Sequence, residues 1–70
     1  MKYPFVIIKK VGGEWWYHGA DKDLESASKV LFYLEQTPGS AVTDARIVEV
    51  KDRYQLDKLR ETVNNLPNSL

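Results

Sequence analysis

Apolar and polar positions alternate along this chain in blocks, and the blocks change period. The first is Phe5-Val6-Ile7-Ile8-Lys9-Lys10-Val11, an apolar stretch interrupted only by two lysines. β-branched residues dominate it, which suits a pleated, buried strand better than a helix. Gly12-Gly13 follows, and then Glu14-Trp15-Trp16-Tyr17-His18. Two strand-like runs separated by Gly-Gly predict a tight hairpin, because glycine accepts the positive φ of primed turns. Strand one is expected over about Tyr3–Val11 and strand two over about Glu14–Ala20. With Gly12-Gly13 as the turn, Val11 faces Glu14, Lys9 faces Trp16, Ile8 faces Tyr17 and Ile7 faces His18.

The period then changes from two to that of a helix. Asp21 and Asp23 are candidate N-caps, and acidic residues suit the positive end of a helix dipole. The helix is predicted from Leu24 to Gln36, with Leu24, Ala27, Val30, Leu31 and Leu34 on one arc. Thr37-Pro38-Gly39-Ser40 ends it, and a loop is expected to about Thr43. Ala45–Val50 reads as strand three, with Val48 and Val50 on one face and Ile47 and Glu49 on the other. Asp52 caps a second helix with Gln55 as its capping-box partner, and Leu56, Leu59, Val63 and Leu66 form the apolar stripe. Arg53 and Asp57 can pair at i, i+4, and Asn64-Asn65 with Pro67 mark a frayed end.

The expected fold is therefore α+β, in the order β-β-α-β-α, as one domain over residues 1–70. Strand three should run parallel to strand two across the crossover helix. Placed beside strand one, it gives a three-stranded, mainly antiparallel sheet of order 2-1-3 with the most apolar strand in the centre. Strand three beside strand two is the competing topology.

Alternation divides the hairpin into two faces. Val6, Ile8, Lys10, Trp15 and Tyr17 share one, and Phe5, Ile7, Lys9, Val11, Trp16 and His18 the other. The first carries fewer charges and is assigned to the core; the second is assigned as semi-exposed. Adjacent tryptophans on a strand point to opposite faces, so one helix layer cannot bury both. Either helix two covers the second face, giving a three-layer sandwich, or Trp16 with Phe5, Ile7 and Ile47 forms an apolar patch. That patch would be rimmed by Lys9, His18 and Glu49, the make-up of a protein interface. Phe32 is the second anomaly: it lies about 140° round the helix from the apolar arc, among Glu25, Lys29 and Gln36 and beside Tyr33.

The totals narrow the chemistry. Ten basic and ten acidic residues cancel, which argues against a general nucleic-acid binder, since such proteins use a basic surplus to displace counterions. Single-stranded nucleic acid stacked on the aromatic sheet face, with Lys9, Lys10 and Arg46 beside it, is the alternative. There is no cysteine, hence no disulfide, thiolate metal site or thiol nucleophile. His18 is the only histidine and has no serine placed to serve as its nucleophile, so no catalytic residue is assigned. Asp21, Asp23 and Glu25 are spaced for helix capping and lack the oxygen ligands and bend glycine of a calcium loop, so no metal or cofactor is expected. No run approaches the roughly 20 apolar residues of a membrane span, and no small-residue cleavage site follows the N-terminal stretch. A cytoplasmic location is the expectation.

The glycine-turned hairpin with its tryptophans, the helix opening Asp23-Leu24-Glu25-Ser26-Ala27 and the run Ala45-Arg46-Ile47-Val48-Glu49-Val50 carry a resemblance. Over residues 3 to 51 the pattern resembles that of very short phage-encoded accessory proteins, including a β-β-α-β inhibitor of bacterial RNA polymerase and several anti-CRISPR proteins. Helix two has no counterpart in the polymerase inhibitor. The resemblance implies a non-catalytic phage or mobile-element protein that binds a host protein or complex and blocks it by occlusion. The candidate partner-binding residues are Phe5, Ile7, Lys9, Trp16, His18, Ile47 and Phe32. A homodimer burying the same patch against a second copy is a further expectation.

Overall fold

A computed structural model describes residues 2–70. The hairpin forms as the glycine turn requires: Gly12 and Gly13 have φ of 62° and 81°, joining β1 (Phe5–Val11) to β2 (Glu14–Asp21). β1 starts after Pro4, which has no N–H to give a ladder but whose carbonyl accepts from Val50 N–H at 2.7 Å. Val11–Glu14, Lys9–Trp16 and Ile8–Tyr17 pair as expected. Ile7 does not pair with His18: it lies opposite Gly19, because β2 carries a bulge with His18 as the extra residue.

Helix α1 spans Leu24–Gln36, the predicted bounds. Asp23 is its N-cap and accepts from Ser26 N–H at 2.7 Å. The Thr37 hydroxyl donates to the Tyr33 carbonyl, and Gly39 turns the chain with φ 74°. β3 (Val42–Glu49) begins earlier than the composition of the preceding loop predicts, because β-branched Val42 already pairs with Val11. Asp52 caps α2 (Arg53–Arg60), accepting from Gln55 N–H, while the Gln55 side chain accepts from Lys51 N–H at 2.6 Å.

The predicted second helix is shortened. After Arg60 the chain turns, and Val63–Asn64 form β4, parallel to β2 through Trp15–Val63 and Trp16–Asn64. Val63 is thus a strand residue rather than part of the helical stripe. Asn65 takes φ 67°, the left-handed conformation asparagine tolerates. The fold is α+β in the order β-β-α-β-α, with β4 added at the end; the sheet is four-stranded and mixed, order β3-β1-β2-β4. β1 lies between β2 and β3, antiparallel to both, as the central position of the most apolar strand predicts.

Two helices cover the two faces. The first face holds the main core: Val6, Ile8, Val50, Leu56, Val63 and Leu66 are buried together, with Trp15, Tyr17, Val48 and Leu59 packed around them. Leu56 and Leu59 belong to α2, so α2 covers this face. α1 lies on the opposite face, mainly over β3 and β1, where Ile7, Ala27 and Ala45 are buried. The arrangement is a three-layer sandwich, with α1 rather than α2 over the face expected to be semi-exposed. The C-terminal segment is held rather than frayed: Arg53 and Arg60 donate to the carbonyls of Asn68 and Pro67 at 3.1 and 3.0 Å.

Candidate functional site

The predicted patch on the second face does not exist as a continuous surface. Ile7 is 1% exposed and cannot touch a partner. Phe5, Lys9, Trp16 and Ile47 are half-buried on the face that α1 covers, while His18 and the rim residue Glu49 are exposed. The reason is topological: a crossover from β2 to β3 must pass over one face of β1, and the short loop before Asp23 lays α1 on this one.

Phe32 keeps its predicted place. It is 61% exposed on the outward side of α1. Leu24, expected on the buried arc, is 54% exposed: that arc centres on Ala27, which is fully buried, and Leu24 falls at its margin. With Tyr33 at 74% exposure, these residues line an open hollow with Glu25, Ser28 and Lys29. Glu25 and Lys29 pair at 3.9 Å, so the hollow is locally neutral. A sequence reading could have joined Leu24 to Phe32, since 24, 28 and 32 fall one helical turn apart.

The other exposed aromatics have company. Lys58 lies 5.7 Å from the centre of the Tyr54 ring, and Tyr3 borders a hollow shared with the C-terminal Leu70. On the first sheet face, Trp15 is flanked by Arg46 at 5.1 Å and Lys10 at 5.8 Å, so cations already occupy its ring. Leu24, Phe32 and Tyr33 have no such cover.

His18 stands at the bulge with its Nδ1 3.4 Å from Lys9 Nζ. The ammonium donates to a neutral ring. Loss of solvent and then the Lys9 charge hold the imidazole below its ordinary pKa. That state suits an acceptor, but no nucleophile or carboxylate adjoins it among its hydrogen-bond partners. Among the described residues, no three His, Asp or Glu side chains gather as a metal site, and no helix is long and apolar enough to cross a membrane. Comparison with protein-family models, curated proteins and solved structures finds no match.

Proposed function

We propose that this chain is a non-catalytic protein-binding module, of the phage or mobile-element kind, that acts by occluding a host protein. The binding surface is the outward side of α1. The observation that carries this reading is the uncovered trio of Leu24, Phe32 and Tyr33 on a helix whose opposite side is committed to the sheet. Aromatic side chains are enriched in protein interfaces and bring large contact area at small entropic cost. The paired Glu25 and Lys29 add polar definition without the basic surplus that phosphate binding needs. An amphipathic helix offered in this way fits a hydrophobic groove on the partner.

Single-stranded nucleic acid is the weaker reading. The sheet face it requires lies under α1, and Trp15 on the other face is already stacked by Arg46 and Lys10.

A photo-crosslinking residue at position 33 tests the proposal, with the same residue at His18 as the control. In a bacterial lysate, the position-33 probe should capture one host protein that the position-18 probe does not. Equal capture at both positions, or crosslinks to nucleic acid alone, would reject the α1 surface.

A further inference from the structure

β3 ends the sheet, and its outer edge pairs with nothing among the described residues. Strand alternation tells which groups it offers. Val50 N–H points inward to Pro4, so Asp44, Arg46 and Val48 bond to β1 and Ala45, Ile47 and Glu49 direct their amides and carbonyls outward; at Thr43 a bulge breaks this alternation. Such an edge is a template for another strand.

Its side chains are self-complementary in one register. A two-fold axis beside Ala45 sets Ala45 against its own copy and Asp44 opposite Arg46 of the second chain, twice. It also brings Ile47 and Val48 against the Val42–Thr43 bulge of the second chain. Slipping by two residues one way puts Arg46 against Arg46; slipping the other way puts Asp44 against Asp44. Opposite charges across a strand pair stabilise it and like charges oppose it. In the single chain, Asp44 has only local partners: Arg46 Nη2 at 3.3 Å and the outward Ala45 N–H at 2.8 Å. Both exchange directly for their counterparts in a second copy.

The helix layer agrees. Such an axis keeps both α1 helices on the same face. Because α1 lies over β3 and β1, strands about 4.8 Å apart would bring the two helices to within about 10 Å, a packing distance. The right-handed sense of β-α-β crossovers turns the Leu24 and Ser28 side of α1 toward this edge.

We propose that two copies join antiparallel through β3, in the Ala45-centred register, into one eight-stranded sheet. This goes beyond partner binding and does not depend on it: Leu24 passes into the seam between the two α1 helices, while Phe32 and Tyr33 of both copies remain outward, giving a two-fold surface.

Sedimentation equilibrium of the chain alone, without any partner, should show twice the 8.1 kDa chain mass at micromolar concentration. Arg46→Asp should weaken association by about tenfold or more, because it sets acidic groups face to face in the proposed register. Asp44→Arg combined with Arg46→Asp should restore it, and circular dichroism of each variant checks folding. In the unaltered chain, amide exchange at Ala45, Ile47 and Glu49 should slow as concentration rises. A mass of 8.1 kDa at every concentration, or a dimer indifferent to Arg46→Asp, would overturn the proposal.

Discussion

Trp15 and Trp16 are neighbours in sequence with different surroundings. Trp15 packs against the core cluster that contains Val6, Ile8 and Leu56, while Arg46 and Lys10 flank its ring. Trp16 is half-buried on the opposite face. Trp15→Ala should therefore cost about 3 kcal/mol in chemical denaturation, the low end for a core tryptophan because the ring keeps some exposure. A loss under about 1 kcal/mol would mean the cluster repacks without it. His18 supplies a pH dependence. Its pKa is lowered in the folded protein, so the unfolded chain binds more protons below the ordinary histidine value. Stability is full above that value and falls as pH drops toward the folded one. The thermal midpoint should decline as pH falls below about 6.5, and His18→Gln should flatten that decline. An unchanged slope would place the effect elsewhere. Asp23, held below the carboxylate range chiefly by its hydrogen bond from Ser26 N–H, adds a loss in the same direction at lower pH.

At the scale of elements, what was legible depended on whether local chemistry punctuated the chain. The Gly12-Gly13 turn and the Asp23 cap are local signals, and β1, β2 and α1 follow from them. The end of α2 had no such signal. No glycine or proline stands between Arg60 and Asn64, and Val63 continues the helical spacing of Leu56 and Leu59, so a two-residue strand reads as helix. Only tertiary contacts decide it: Asn64 Nδ2 donates to the Trp15 carbonyl at 3.1 Å, across the sheet. The bulge at His18 was equally silent, since an extra residue in a strand leaves the composition unchanged. Leu66 shows the consequence. It lies past the helix, yet it is 9% exposed and part of the core. Leu66→Ala should cost about 2 kcal/mol or more by denaturant titration; a neutral effect would return this segment to the frayed end that Pro67 suggested.

For the whole molecule, strand order could be reasoned from the apolarity of β1, but which helix covers which face could not. Alternation shows that both faces are apolar. It does not show that the first helix crosses over Ile7 and Ile47. Ile7 of the expected patch is thus buried, while Phe32 is exposed as its helical position predicts, because that position is independent of which face the helix covers. The proposed working surface is the outer side of α1. Affinity retention from a bacterial lysate, quantified for the unaltered chain, for Phe32→Ser with Tyr33→Ser, and for Trp16→Ala, tests it most directly. The exposed pair should alter stability by no more than roughly 0.5 kcal/mol yet lower retention of the host protein at least tenfold, whereas Trp16→Ala, if still folded, should retain it. Retention that survives loss of Phe32 and Tyr33 but fails with folded Trp16→Ala would place the surface on the sheet rather than on α1.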